Sequence, residues 1–101
     1  MILYHSTTRE NAGSILREGF RDHTDYYMTR KLYTGVWLSD RPLDENEGAS
    51  SEALLRLELD EASIVRFEWV EDGKGYREFL VPAAIVNTAE AIVTQMRLDD
   101  P

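Results

Sequence analysis

The first candidate for chemistry is a histidine followed by three hydroxyl side chains near the start of the chain. His5 ends a short apolar run, and Ser6, Thr7 and Thr8 come directly after it. The next residues predict a helix, whose N-terminal N–H groups can hold a phosphate or a ribose hydroxyl. The alternative is a structural role, with Thr7 as the helix cap and His5 as a hydrogen-bonded core histidine.

The second candidate is a tryptophan inside an apolar strand segment. Strand alternation places Trp37 and Ser39 on one face and Val36 and Leu38 on the other. An indole beside a hydroxyl can stack on a flat ring and hydrogen-bond its edge. The alternative is an ordinary core tryptophan.

The third candidate is a single carboxylate in an otherwise apolar strand. Glu78 shares its predicted strand face with Tyr76 and Leu80. A carboxylate on a half-buried face costs free energy unless it is paired with another group or takes part in function. The alternatives are an exposed glutamate on an edge strand, or a salt bridge to an arginine such as Arg66.

Several other chemistries lack the residues they need. The chain has no cysteine, which excludes disulfides, thiolate nucleophiles and cysteine metal sites. His5 and His23 are the two histidines, without metal-binding spacing, so we predict no metal site. The sequence has neither the Gly-x-Ser-x-Gly elbow of serine hydrolases nor a glycine-rich nucleotide loop.

The first elements predicted around these residues are a strand and a helix. Residues 2–5 suit a short strand, and Thr7 with Glu10 fits a capping box that starts a helix over about 8–18. Gly19 is well placed just past the helix C-terminus.

The remaining segments predict mainly strands. Residues 21–34 have poor periodicity and predict a long loop with at most one helical turn. Residues 61–70 are ambiguous, because the cap signal of Asp60 favours a short helix and the apolar residues favour a strand. The other expected elements are strands at 35–40, 53–60, 76–81 and 92–98, an acidic loop or weak helix at 44–52, a turn at 72–75 and an extended piece at 85–86. Mostly antiparallel strands with one or two helices make an α+β domain.

Composition and charge limit the classes of partner. The 101 residues suit a single domain over residues 1–101, with a net charge of -8 that disfavours non-specific nucleic-acid binding. Residues 1–41 carry six basic and five acidic side chains, so an anionic ligand is expected there rather than in the acidic second half. No apolar run approaches a membrane span, and the N-terminus does not resemble a signal peptide. We therefore expect a cytoplasmic protein without membrane partners.

The segments that contain His5, Trp37 and Glu78, in this order, resemble the ADP-ribosyltransferase superfamily. The resemblance is to its diphtheria-toxin and poly(ADP-ribose) polymerase-like branch. That branch carries a His-Tyr-Glu triad on three separated strands. Residues 3–7 and 11–21 resemble its first motif, residues 35–40 its second and residues 76–81 its third. The matches cover somewhat under half of the chain. The resemblance implies a compact fold in which two small, mostly antiparallel sheets form a cleft for NAD.

The resemblance also implies a role for each matched residue. His5 would bind the hydroxyls of the adenine-side ribose, and backbone groups of Ser6 would hold the nicotinamide amide. Trp37 would stack on the nicotinamide ring. Glu78 would bind the 2′-hydroxyl of the nicotinamide ribose and stabilise the positive charge that develops as nicotinamide leaves. The implied catalytic residues are Glu78, His5 and Trp37, and the implied NAD-binding residues are His5, Ser6, Thr7, Tyr33, Trp37 and Ser39. Residues 21–34 would form a lid, with Tyr33, Arg30 or Lys31 near the ligand.

Three departures from the family pattern bear on activity. Ser6 replaces the usual glycine, Trp37 replaces tyrosine, and Tyr76 stands where arginine-modifying members carry Glu or Gln. The last departure argues against arginine as the acceptor. Glu78 and the acidity of the chain disfavour the related RNA 2′-phosphotransferases, which rely on a basic set of residues.

The expected function is transfer of ADP-ribose from NAD, as co-substrate, to a protein, a nucleic acid or a small molecule. Such an enzyme could serve as a toxin or as a phage or defence effector, and an antitoxin or regulatory partner stays open. Two alternatives belong to other classes. One is a catalytically weak module that binds NAD or ADP-ribose and acts through a protein partner, and the other is a structural protein without a ligand.

Overall fold

The architecture follows from a computed structural model that describes residues 1–26, 32–43 and 52–96. Strands dominate these ranges, and only one helix exceeds four residues. The elements are β1 (Ile2–Thr7), α1 (Arg9–Glu18), β2 (His23–Tyr26), β3 (Leu32–Ser39), β4 (Ala53–Glu58), α2 (Glu61–Ile64), a 3-10 turn (Val65–Phe67), β5 (Glu68–Trp69), β6 (Glu78–Val81), α3 (Ala83–Val86) and β7 (Ile92–Met96). Within the described ranges, no helix has the length and apolar character to cross a membrane.

The strands form one connected antiparallel sheet. Its order is β5-β6-β3-β1-β4-β7, and β2 pairs with β3 outside that path. The α+β class with mostly antiparallel strands is therefore confirmed. The expectation of two separate sheets is not met, because Tyr4 of β1 pairs with Ser39 of β3. This single residue pair joins the two parts of the sheet.

One face of the sheet carries the hydrophobic core. Leu55 and Leu57 of β4 and Leu59 just beyond it are buried, as their alternation with charged residues predicts. From β6, Phe79 and Val81 are completely buried in the same core. The core therefore faces away from Glu78, which alternates with these two residues along β6.

Helix α1 starts one residue later than the capping box predicts. Thr8 is the N-cap, and its hydroxyl accepts a hydrogen bond from the Asn11 N–H. Thr7 cannot be the cap because it is still part of β1, where it pairs with Ala53. At the other end Gly19 has φ 88°, ψ 172°, a conformation that glycine alone adopts easily.

The predicted loop over residues 21–34 is wrong for most of its described part. Residues 23–26 form β2, which pairs with residues 32–35 of β3. All four residues of β2 are exposed, so no apolar alternation marks the strand in the sequence. Residues 27–31 lie outside the described residues, and the loop or weak helix expected over 44–52 lies outside them except for Glu52.

The extended piece predicted at residues 85–86 is also wrong. These residues end α3, a single turn in which the Pro82 carbonyl accepts hydrogen bonds from Ile85 and Val86. Val86 is completely buried, so packing rather than local periodicity decides this turn. In residues 61–70 both signals are correct, since α2 follows the Asp60 cap and β5 follows the 3-10 turn.

Candidate functional site

A pocket opens where β1 and β3 separate beyond the Tyr4–Ser39 pair. It has a volume of about 360 Å³, which is within the range of small-molecule sites. Residues 5–7 of β1 and 35–37 of β3 line it, together with part of α1 and the segment that follows the helix. The pocket therefore contains four of the predicted residues, namely His5, Ser6, Thr7 and Trp37.

His5 connects the two strands across this separation. Its Nδ1 lies 2.8 Å from the backbone oxygen of Trp37, and its ring packs at 5.3 Å and 84° against the edge of Phe20. Because a carbonyl only accepts hydrogen bonds, Nδ1 carries the proton. Burial lowers the pKa of His5, and the bond to the Trp37 carbonyl opposes this only in part. The neutral ring leaves Nε2 as an acceptor for a ligand hydroxyl.

The register between β3 and β6 places Trp37, Ser39 and Glu78 on one face of the sheet. Ser39 lies opposite Glu78, and Trp37 lies opposite Leu80. Opposite residues share a face, so Trp37 and Glu78 are diagonal neighbours with backbones about 7–8 Å apart. Tyr4 pairs with Ser39 in turn, so two strand spacings, or about 10 Å, separate the backbones of Tyr4 and Glu78. Trp37 and Glu78 therefore share a sheet face, and of the two Trp37 lines the pocket. His5 pairs with the buried Leu55 of β4, so its side chain leaves β1 on the opposite, core-facing side.

Trp37 belongs to a cluster with two further aromatic rings. Trp69 of β5 contacts the Trp37 ring at 5.4 Å, and Tyr33 contacts Trp69 at 4.7 Å, both edge to face. Trp69 also lies opposite Glu78 in the sheet. Tyr33 therefore belongs to the same aromatic cluster as Trp37, through Trp69.

Glu78 is half-buried and paired. The exposed edge-strand alternative is wrong, because β6 lies between β5 and β3. Its partner is Lys74, whose Nζ lies 2.7 Å from Glu78 Oε1, rather than an arginine such as Arg66. The neighbouring Arg77 binds Glu68 and Glu61 instead, and the hydrogen bond from Arg77 lowers the pKa of Glu68.

Ser39 and the start of α1 are already engaged within the chain. The Ser39 hydroxyl is buried and donates to the Arg41 carbonyl at 2.7 Å, so this proton is not directed to a ligand. At the helix start, the Arg9 N–H donates to the Glu52 carboxylate at 3.1 Å. With Asn11 bound to the Thr8 cap, two of the first helix amides have partners in the protein. Arg21 lines the pocket and pairs with Glu18 at 2.6 Å.

The structure thus places the predicted residues in two adjoining groups. His5, Ser6, Thr7 and Trp37 line the pocket, and Ser39, Glu78 and Tyr33 extend from Trp37 along the sheet. Arg30 and Lys31 lie outside the described residues. Sequence reasoning missed Trp69 and Lys74. The signals that could have found them are a second tryptophan in the ambiguous segment and a lysine four residues before Glu78.

The chain matches no protein-family model, no curated protein and no solved structure. The class that the structure defines is a small α+β domain with an antiparallel sheet that opens into a pocket. Functional inference therefore depends on the geometry of the site and on the motif order in the sequence.

Proposed function

We propose that the protein is a small NAD-dependent ADP-ribosyltransferase that transfers ADP-ribose from NAD to an acceptor and releases nicotinamide. The observation that carries the proposal is the position of Trp37 and Glu78 on one sheet face, with Trp37 also lining the pocket that contains His5. These are the three residues through which the sequence resembles that superfamily. They come from β1, β3 and β6, so strand pairing rather than nearness in the sequence brings Glu78 to Trp37 and Trp37 to His5.

Each residue has a chemical state suited to this role. His5 presents an unprotonated Nε2, which can accept a hydrogen bond from a ribose hydroxyl. Trp37 supplies an aromatic surface on which a nicotinamide ring can stack. Glu78 can accept a hydrogen bond from the 2′-hydroxyl of the nicotinamide ribose. Its negative charge would stabilise the positive charge that develops at the sugar.

Calorimetric titration and nicotinamide release, measured on the same samples, test the proposal. Trp37→Ala should weaken NAD binding at least about fivefold, since ring stacking contributes about 1–3 kcal/mol, whereas Trp37→Phe should retain most of the affinity. Glu78→Gln should bind NAD but release nicotinamide about 100-fold more slowly, as expected when a group that stabilises transition-state charge is lost. Glu58→Gln makes the same change at an exposed position on β4 and should leave the rate unchanged. Absence of NAD binding by the wild-type protein would contradict the proposal.

A second candidate is a module that binds NAD or ADP-ribose and acts through a protein partner. The observation that favours this candidate is the ion pair of Glu78 with Lys74. It occupies one of the two carboxylate oxygens that catalysis could use. Binding that depends on Trp37, without nicotinamide release under any condition, would support this candidate over the transferase.

A further inference from the structure

The carboxylate of Glu78 is held by a lysine that is itself almost buried. Lys74 Nζ donates to Glu78 Oε1 at 2.7 Å, and the side chains are 9% and 14% exposed. Within residues 1–26, 32–43 and 52–96, the Glu78 carboxylate makes no hydrogen bond other than this one. Oε2 can therefore still accept a hydrogen bond from a ligand. Such a buried contact differs from a mobile surface ion pair.

Lys74 also belongs to a chain of contacts that returns to the aromatic cluster. The Trp69 indole N–H donates to Glu71 Oε1 at 2.7 Å, and Glu71 Oε2 lies 3.8 Å from Lys74 Nζ. Trp69 in turn packs against Trp37. The segment between β5 and β6 therefore links the indole of Trp37 to the carboxylate of Glu78.

We propose that Lys74 is a positioning residue that sets the orientation of the Glu78 carboxylate. This inference rests on the proposed function. The last torsion of a glutamate side chain is broad, so without a partner the carboxylate would rotate among many orientations. The ammonium fixes Oε1 and leaves Oε2 for the 2′-hydroxyl of the nicotinamide ribose.

The ammonium of Lys74 is shared between two carboxylates, since its Nζ lies 2.7 Å from Glu78 Oε1 and 3.8 Å from Glu71 Oε2. Glu71 therefore helps to hold the ammonium in the place from which it contacts Glu78.

Steady-state nicotinamide release by the full chain tests this role. Lys74→Met should lower kcat about 10- to 100-fold, because small displacements of a catalytic group have effects of this size, while KM for NAD changes less than about twofold. Lys74→Arg should recover most of kcat, since it keeps a donor at this position. Arg66→Met removes one positive charge from an exposed position, where the guanidinium lies over Phe67, and should match the wild type.

A second variant keeps the test decisive if Lys74→Met does not fold. Glu71→Gln retains an acceptor for Trp69 but removes the second carboxylate that holds the Lys74 ammonium. We expect it to lower kcat several-fold with KM unchanged, because Lys74 is then held less firmly against Glu78.

The outcomes separate the two proposals. A kcat that stays constant or rises in Lys74→Met, or a change confined to KM, would overturn the positioning role and leave the transferase intact. Wild-type protein that releases no nicotinamide, or Glu78→Gln protein that releases it at the wild-type rate, would overturn the transferase and the positioning role together.

Discussion

The buried histidine of the pocket should make the stability of the fold depend on pH. His5 packs against Phe20 and donates from Nδ1 to the Trp37 carbonyl. Burial lowers its pKa in the folded protein because the surroundings cannot solvate a charged ring, and the carbonyl bond offsets this only partly. In the unfolded chain the same histidine has its ordinary pKa of about 6.5.

The sign and size of the effect follow from this difference. Below about pH 6.5 the unfolded chain binds a proton that the folded protein does not, so the free energy of unfolding falls as the pH falls. The slope is at most about 1.4 kcal/mol per pH unit, and it ends where the pH reaches the lowered pKa of the folded protein. Between pH 7 and pH 5.5 the contribution of His5 is therefore up to about 1.2 kcal/mol.

The variant that isolates this effect is His5→Asn. The asparagine amide can donate to the Trp37 carbonyl in place of Nδ1, but it does not titrate. Urea unfolding at pH 7 and pH 5.5, followed by tryptophan fluorescence, gives the loss of stability for each protein. The wild type should lose up to about 1.2 kcal/mol more than His5→Asn over this interval.

A control removes the other histidine. His23 is exposed on β2, and His23→Asn keeps His5, so this variant should lose as much stability as the wild type. Equal losses in the wild type and His5→Asn would refute the argument. They would mean that His5 binds a proton as readily in the folded protein as in the unfolded chain.

Three further predictions concern the framework of the site. Gly19→Ala should destabilise the fold by about 1–3 kcal/mol in thermal unfolding, because φ is 88° and a Cβ would lie 3.0 Å from Asn87 Oδ1; an unchanged Tm would contradict this. Phe79→Ala should cost about 3–5 kcal/mol in urea unfolding, since the ring is completely buried, and a loss below 1 kcal/mol would show that it is not in the core. Arg77→Lys should cost less than about 1 kcal/mol, because its pairs with Glu68 and Glu61 are partly exposed, and the cost should shrink in high salt; a larger, salt-independent loss would argue against this assignment.

The parts of the fold that could be predicted are those whose local pattern agrees with their burial. The alternation of Leu55, Leu57 and Leu59 identified a half-buried strand, and all three are in the core. The cap signals of Asp60 and Gly19 also marked real helix ends. The elements missed, β2 and α3, have no such pattern, since pairing with β3 and packing of Val86 determine them.

For the site, the available residue types and their order can be read from the sequence. His5, Trp37 and Glu78 stand in strands, and strand alternation already put Trp37 and Ser39 on one face. Whether NAD binds to them stays a prediction for the titration to decide.

How these residues combine depends on the three-dimensional fold. The pairing of Ser39 with Glu78 and with Tyr4, the separation of β1 from β3 that opens the pocket, and the contact of Lys74 with Glu78 depend on register between distant strands. Alternation along a strand specifies which face a side chain occupies but not which strand lies beside it. Strand neighbours are selected by burial of the whole sheet, which is a property of all the strands together.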